Sequence, residues 1–327
     1  MVDPQHEIEP YVEAAAEKNM RITHIFETHV QADHVSGARR LGVVTGAPVL
    51  IHASAPVAFP HVALEDGEEH ELGNVRITVL HTPGHTPDGV CLIVTDRTRG
   101  PEPWFVLTGD TLFAGGVGRP DLLGQGAETQ LAEQLYDSLY GRLLKLPDHL
   151  EVFPAHFSGS ACGKGLSGKP GSTIGFERRF NAALRAGDVD AFVRQLMTGL
   201  PPKPANFDRI IAKNRAQALP TSGDPQPLSA AQVRAAIDKG AAVLDVRSPE
   251  EYGAGHLPGA RHLPRGQLEL RVDRELPDPS VRILTYCQLG RISTLAAATL
   301  RQMGYPRAVA LDGGYDEWVK SGYPTET

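Results

Sequence analysis

Short apolar runs alternate with amphipathic segments along residues 1–218, and this alternation predicts strands and helices packed in layers. The predicted strands are 21–28, 48–51, 75–80, 90–94, 104–107 and 151–153. The predicted helices are 7–19, 35–41, 128–146, 172–185, 188–197 and 205–218. Strands that alternate with helices and are followed by further helices indicate an αββα-type sandwich.

The clearest helical period lies in the segment 128–146, where leucines recur on one face at Leu131, Leu135, Leu139 and Leu143. We expect this face to be buried. Residues 55–71 are acidic and have no regular period, so they are expected to be irregular.

A proline-rich stretch, Leu-Pro-Thr-Ser-Gly-Asp-Pro-Gln-Pro, occupies residues 219–227. Prolines at this density exclude a helix or a central strand, so the stretch is interpreted as a linker between domains at 1–218 and 228–327. Beyond it a new alternation begins, with predicted strands at 243–246, 283–286 and 308–311 and helices at 229–239 and 293–303. This pattern predicts a smaller α/β domain with a parallel sheet.

The composition is that of an ordinary globular protein: of 327 residues, 41% are hydrophobic and 22% are charged, and the net charge is −7. A negative balance argues against nucleic acid or an anionic membrane surface as the main partner. No apolar run approaches the ~20 residues that a membrane span needs. An anionic substrate must therefore be attracted by local positive charge.

The cysteine content indicates a reducing compartment. Cys91, Cys162 and Cys287 are too few and too widely spaced for a disulfide framework. The N-terminal segment lacks the basic and apolar regions of a signal peptide. We therefore expect a cytoplasmic location.

Candidate metal ligands cluster in the hexapeptide His-Val-Gln-Ala-Asp-His at 29–34, directly after a predicted strand. Three further candidates, His85, Asp110 and His156, each follow another apolar run. Single histidines are usually structural, but this many ligand types at successive strand ends indicate a metal site.

The strings THVQADHVSGARRL, TPGHTPDGV, LTGDTLFAGGVGRPDL and FPAHFSGSACGK resemble the metallo-β-lactamase fold, and within it the persulfide dioxygenases related to glyoxalase II. That fold normally begins with two or three strands before its first helix. Here the sequence starts almost at the helix, so the first sheet is expected to be truncated or abbreviated at one edge.

This chain departs from the family motif H-x-H-x-D-H, because Gln31 replaces the second histidine. An amide oxygen is a weak zinc ligand, which reduces the first ligand set to His29, His85 and Asp110. Two histidines and a carboxylate form the facial arrangement of non-haem iron(II) enzymes. The resemblance implies one Fe(2+) on this triad. The remaining residues would orient ligands by hydrogen bonds or form a residual half-site; they are Asp33, His34 and His156.

The substrate implied by the resemblance is glutathione persulfide, oxidised with O2 to sulfite and glutathione. Glutathione carries carboxylates that need cationic partners. Arg119 in the GVGRPD loop and Lys164 after the His156 loop are the candidates in this domain.

Cys287 ends a predicted buried strand and precedes a helix, a position where backbone N–H groups can stabilise a thiolate or persulfide. We predict that it is a nucleophile. The strings VLDVRSPEEYGAGHLPGA, TYCQLGRIS and LDGGYDEWVKSGYP resemble the rhodanese sulfurtransferases, which implies sulfur transfer from thiosulfate or a persulfide to a thiol or sulfite. Rhodanese loops often carry arginine at the position of Ile292; here Arg291 comes one residue earlier.

Two alternatives stay open at this point. One is a dinuclear zinc thioester hydrolase of the glyoxalase II class with a sulfurtransferase domain, and the other is a non-catalytic sulfur carrier or sensor. The expected partners are small thiols and persulfides, O2, and thiosulfate or sulfite. The oligomeric state also stays open, with a homodimer as one expectation.

Overall fold

The fold is taken from a computed structural model that describes residues 1–123, 126–157, 160–204, 206–216 and 226–327. The chain forms two compact units. The first comprises Met1–Ala32, Ser36–Lys203 and Asn214–Gln217, and the second comprises Asp33–Val35, Pro204–Lys213 and Ala218–Thr327. Most of the predicted linker 219–227 lies outside the described residues, so the domain limits 1–218 and 228–327 remain a prediction.

The first unit contains two main sheets. Its strands are β1 (Ile25–Phe26), β2 (Val49–His52), β3 (Val62–Leu64), β4 (Glu69–Leu72), β5 (Val75–His81), β6 (Val90–Asp96), β7 (Phe105–Gly109), β8 (Leu112–Phe113), β9 (Gly116–Val117), β10 (Glu151–Pro154) and β11 (Ser172–Thr173). Strands β1, β2 and β3 form a parallel sheet. A six-stranded mixed sheet has the order β11-β10-β7-β6-β5-β4, and β8 pairs with β9.

The helices of the first unit are α1 (Glu9–Glu17), α2 (Ala38–Thr45), α3 (Glu128–Tyr136), α4 (Ile174–Phe180) and α5 (Val189–Met197). Helix α3 continues through a π-helical turn, Asp137–Arg142, and a 3-10 turn, Leu143–Lys145. Five leucines of the predicted helix 128–146 are buried, as the helical spacing predicted; they are Leu131, Leu135, Leu139, Leu143 and Leu144.

Side-chain alternation along β6 shows how the layers stack. Leu92 and Val94 join Phe26 and Leu50 of the parallel sheet in one buried cluster, so the two sheets pack face to face. On its other face β6 directs Cys91 into a cluster with the α3 leucines. A third cluster places α2 against the outer face of β1 and β2. These contacts give the αββα sandwich.

Several elements differ from the sequence-based expectation. The predicted strand 21–28 is only the two residues of β1, and the segment 55–71 contains β3 and the start of β4. Both missed strands are short, and β4 carries alternating glutamates that face solvent, so neither has a strong apolar signal. An abbreviated first sheet was expected, and among the described residues no strand precedes α1, although Val2 makes a parallel bridge with Phe26.

The second unit is a small α/β fold. Its strands are β12 (Ala242–Asp245), β13 (Arg261–His262), β14 (Ile283–Tyr286) and β15 (Val309–Ala310), all parallel in the order β13-β12-β14-β15. The division between the units falls within α6 (Phe207–Arg215). The remaining helices are α7 (Ala230–Ile237), α8 (Pro249–Ala254), α9 (Leu268–Glu275), α10 (Arg291–Gln302) and α11 (Gly314–Lys320).

Both faces of this sheet are covered by apolar side chains. Leu244 and Ile283 belong to a cluster on one face, whereas Val243 and Leu284 belong to a cluster on the other. A parallel sheet buried on both sides is typical of α/β folds. Among the residues that the structure describes, none of the helices is both long and apolar enough to cross a bilayer.

Candidate metal centre and cysteine loop

Three of the predicted ligands converge in the first unit. Asp110 Oδ2 lies 3.3 Å from His85 Nε2 and 3.9 Å from His29 Nε2, and the three ligand atoms all lie within 4.8 Å of one another. All three residues are buried, and each follows a strand: β1, β5 or β7. The strand ends therefore bring together side chains that are distant in sequence.

The hydrogen bond on the far side of the His85 ring fixes its tautomer. His85 Nδ1 lies 2.8 Å from the carbonyl oxygen of Arg119, and because a carbonyl can only accept, Nδ1 must carry the proton. The neutral ring then presents the Nε2 lone pair toward Asp110. A histidine held in this way is ready to bind a metal.

The Thr28 hydroxyl fixes the tautomer of His29 in the same way, by accepting a hydrogen bond from Nδ1. Thr28 Oγ1 donates to Asp3 Oδ2 at 2.8 Å, so its lone pair accepts from His29 Nδ1 at 3.0 Å. The Thr28 N–H also donates to Asp3 Oδ1 at 2.7 Å. The carboxylate, hydroxyl and imidazole thus form a chain that places a proton on His29 Nδ1 and directs Nε2 toward Asp110.

The Asp110 carboxylate provides the test of whether a cation fits. Its residue is 3% exposed, and neither oxygen has a hydrogen-bond partner among the described residues. A buried carboxylate without a donor is costly unless a cation or a protonated neighbour balances it. Oδ1 lies 3.4 Å from His156 Nε2, so imidazole nitrogens surround both oxygens. A buried anion with nitrogen lone pairs directed at it suits a divalent metal ion.

Side chains that sequence reasoning missed hold the loop after His29. Asp88 Oδ2 accepts the Val30 N–H at 2.7 Å, and Asp88 is 1% exposed. Asn214 donates to the Gln31 carbonyl at 2.9 Å and accepts the Ser36 N–H at 3.0 Å. Asp88 lies within the quoted string TPGHTPDGV, whereas Asn214 comes from α6 and has no local signal.

Gln31 is 1% exposed, and neither polar atom of its side chain has a hydrogen-bond partner among the described residues. A buried amide left in this way costs about 1–3 kcal/mol, so a water or another group is expected beside it. Asp33 and His34 are half-buried and contact each other through Oδ1 and Nδ1 at 3.1 Å.

A glycine permits the close approach of the ligands. A Cβ on Gly118 would lie 1.9 Å from the carbonyl oxygen of Asp110 and 2.9 Å from His85 Cβ. Replacing Gly118 with alanine must therefore displace both ligands. We expect Gly118→Ala to lower the free energy of unfolding by about 2 kcal/mol and to reduce the bound metal, measured by thermal unfolding and elemental analysis.

The matched control for this substitution is Gly141→Ala. A Cβ at Gly141 would meet nothing within 4 Å, so neither stability nor metal content should fall. Equal metal content in the Gly118→Ala protein and the parent would contradict the ligand geometry described above.

The two cations predicted to bind substrate in this unit differ in environment. Arg119 is 1% exposed, and its guanidinium forms two hydrogen bonds to Asp121, at 2.7 and 2.6 Å. It also donates to the carbonyl of Pro201 at 2.7 Å. These bonds favour a positioning role for Arg119, whose carbonyl fixes His85. Lys164 is exposed, with Nζ donating to the Thr198 carbonyl at 2.9 Å.

In the second unit, Cys287 follows β14 and lies before α10, as predicted. Its sulfur accepts the Ser293 N–H at 3.4 Å, and Gly290 begins the helix with a φ of 84°. A donor N–H and a helix N-terminus beside the sulfur stabilise a thiolate or persulfide anion. The side chain of Arg291 lies outside the described residues, so its substrate contact remains a prediction.

Closely packed neighbours hold the Cys287 loop. The Cys287 carbonyl accepts the Tyr315 N–H at 2.8 Å, and a Cβ on Gly314 would lie 2.3 Å from that carbonyl oxygen. Asp245, at the end of β12, and Arg247 form a buried ion pair at 2.6 Å.

The other two cysteines are also buried. Cys91 lies inside β6, and burial raises the pKa of its thiol to about 11. Cys162 is 1% exposed, and its carbonyl accepts the Arg119 N–H at 3.0 Å. A thiol with a raised pKa is a poor nucleophile, so Cys91 has a core role.

Comparison with known proteins matches two different families to the two parts of the chain. Residues 2–156 match the model of the metallo-beta-lactamase superfamily, and residues 229–321 match that of the rhodanese-like domain. The crystal structure of ETHE1 from Myxococcus xanthus is 30% identical, with a TM-score of 0.56, over 65% of this chain and 86% of that one. The chain belongs to the metallo-beta-lactamase superfamily and carries a C-terminal rhodanese-like domain.

The chain is also similar to a persulfide dioxygenase, a hydroxyacylglutathione hydrolase and a second solved structure. It is 29% identical to the human mitochondrial persulfide dioxygenase ETHE1, over 65% of this chain and 77% of that protein. It is 38% identical to the hydroxyacylglutathione hydrolase of Methylococcus capsulatus over 45% of the chain, about half (53%) of the hydrolase. A structure of a Staphylococcus aureus metallo-beta-lactamase aligns over 95% of this chain and 90% of that one, with 26% identity and a TM-score of 0.73.

Proposed function

We propose that the first unit is an iron-dependent persulfide dioxygenase that oxidises glutathione persulfide with O2 to sulfite and glutathione. The observation that carries the proposal is the buried triad of His29, His85 and Asp110, with both imidazoles in the metal-binding tautomer. The likeness to ETHE1 persulfide dioxygenases supports the same reaction class.

The proposed overall reaction balances without a further oxidant. Glutathione persulfide, O2 and water give glutathione, sulfite and two protons. The terminal sulfur loses four electrons, and O2 accepts them. Fe(2+) held by two histidines and one carboxylate would supply the redox chemistry and leave about three coordination positions for other ligands.

The chain's own residues prepare this site for the reaction. The Arg119 carbonyl and Thr28 hold protons on the Nδ1 atoms of the two histidines, which keeps the Nε2 lone pairs directed inward. His156 Nε2, 3.4 Å from Asp110 Oδ1, is placed to hold a proton or a water beside the carboxylate. Lys164 is an exposed cation that suits a glutathione carboxylate.

The second unit is proposed to transfer sulfane sulfur through Cys287. Its thiolate attacks the outer sulfur of thiosulfate or of a persulfide, which forms a sulfur–sulfur bond and releases sulfite or a thiolate. A second thiol then takes the sulfur and restores Cys287. The two units would therefore share compounds: the first consumes persulfide and produces sulfite, and the second can transfer sulfur to or from both. With no disulfide among its three cysteines, the chain suits the cytoplasm.

A zinc thioester hydrolase is the second candidate, because Asp110 is positioned like a bridging ligand. One of its oxygens is near His29 and His85, and the other is near His156. Such a carboxylate can join two metal ions. The likeness to a hydroxyacylglutathione hydrolase supports this alternative.

Metal content separates the two candidates. We expect the purified protein to contain about one iron per chain, because Gln31 supplies a weak ligand where a dinuclear zinc site needs an imidazole. Elemental analysis should show this iron lost in Asp110→Asn. A content of about two zinc ions per chain, with thioester hydrolysis, would support the hydrolase instead.

A further inference from the structure

Two large apolar side chains are exposed on the loop that holds Cys287. Leu289 is 60% exposed and Ile292 is 51% exposed, whereas Cys287 is 4% exposed. Both follow the cysteine closely, on the loop and in the first turn of α10. The exposed surface of the segment that holds Cys287 therefore carries two hydrocarbon side chains.

The described charges that touch this loop do not favour a small dianion. The guanidinium of Arg247 is neutralised by Asp245 and donates to Gln288 Oε1 at 3.0 Å and to the Gly255 carbonyl at 2.7 Å. The exposed carboxylate of Asp316 accepts a hydrogen bond from the Gln288 side chain. Among the described side chains, an accessible negative charge thus lies beside the loop, and the positive charge of Arg247 is already paired.

From these observations we propose that the Cys287 loop is specific for organic persulfides and discriminates against thiosulfate. The proposal rests on the sulfur-transfer function given above and names its donor class. An organic persulfide brings methylene groups that can contact Leu289 and Ile292. Thiosulfate has no apolar surface and brings two negative charges toward Asp316.

The transfer step is an exchange between sulfurs. The Cys287 thiolate attacks the terminal sulfur of R–S–SH, a new sulfur–sulfur bond forms on Cys287, and the old bond breaks. The R–S⁻ group leaves and takes up the proton. Electrons balance, because the sulfane sulfur keeps its oxidation state.

The test measures persulfide formation on Cys287 in the full chain, without O2, so that the first unit cannot consume the donor. Glutathione persulfide and thiosulfate are each mixed with the protein, and mass spectrometry follows the gain of one sulfur on the Cys287 peptide. We expect the second-order rate constant for loading Cys287 to be about tenfold higher with glutathione persulfide than with thiosulfate.

Variants separate the apolar contribution from the charge contribution. Ile292→Arg should raise the rate with thiosulfate by roughly tenfold, and Asp316→Asn should raise it less. Leu289→Asn should lower the rate of the reaction with glutathione persulfide by about threefold. The rate with thiosulfate should stay unchanged. The matched control is Val319→Asn, an exposed apolar residue (48%) at the end of α11, which should change neither rate.

Each outcome is decisive. Equal rates for both donors, or an Ile292→Arg protein that reacts with thiosulfate no faster than the parent, would overturn the specificity while leaving sulfur transfer intact. Loss of the thiosulfate reaction in Arg291→Ala together with equal donor rates would identify an anion site instead. If neither donor loads Cys287, the sulfur-transfer function itself is wrong, and the specificity is overturned with it.

Discussion

Replacing His85 with alanine should abolish oxygen uptake on glutathione persulfide, with a loss of roughly a thousandfold or more. The substitution removes one of the three proposed metal ligands, and His29 and Asp110 alone do not complete the facial set. It also leaves the Arg119 carbonyl without the donor that it has in the parent protein. An oxygen electrode with anaerobically prepared glutathione persulfide measures the effect.

The control for this change is His149→Ala. The His149 side chain is 64% exposed, and its ion pair with Glu102 spans 4.0 Å, so oxygen uptake should match that of the parent. Persulfide formation on Cys287 in the His85→Ala protein shows that the second unit remains folded. Full oxygen uptake after His85→Ala would remove the basis for the proposed dioxygenase.

The meeting of the three candidate ligands was predictable, because each follows an apolar run. In a layered α/β fold the loops after strands carry polar groups on a rigid base, so His29, His85 and Asp110 were expected to meet. The structure places them together as predicted. Strand order was not needed for this inference, because several strand ends open onto one site.

The supporting side chains could not be found in the same way. Asp3 and Asn214 lie far along the chain from His29, and a lone aspartate or asparagine has no periodic signal. Each becomes functional only through the tertiary fold, which places it beside a backbone or hydroxyl group of the ligand loop. Hydrogen bonds between distant residues are therefore the part of the site that needs a structure.

Arg119 shows that the contacts of a charged side chain are also hard to predict from sequence. An arginine in a glycine-rich loop suggested an anion contact, but its guanidinium is satisfied by Asp121 and by carbonyl groups. Residue type predicted that a cation lies near the site, whereas burial decides what the cation contacts. The same distinction applies to Asp245 and Arg247 in the second unit, where the charges neutralise each other.

Replacing Cys287 with serine should abolish sulfur transfer, by roughly a thousandfold or more, because a hydroxyl is not deprotonated at neutral pH and cannot carry a sulfane sulfur. The Ser293 N–H would remain available to the new hydroxyl, since the swap is nearly isosteric, so the fold should persist. Transfer from glutathione persulfide to sulfite, followed as thiosulfate formed without O2, measures the loss.

Oxygen uptake gives this substitution its internal control. The triad of His29, His85 and Asp110 belongs to the first unit, whereas Cys287 belongs to the second. Oxygen uptake by Cys287→Ser should therefore stay within about twofold of the parent. A joint loss of both activities would mean that persulfide reaches the metal centre only after it has been loaded on Cys287, and the two reactions would then be one obligatory sequence.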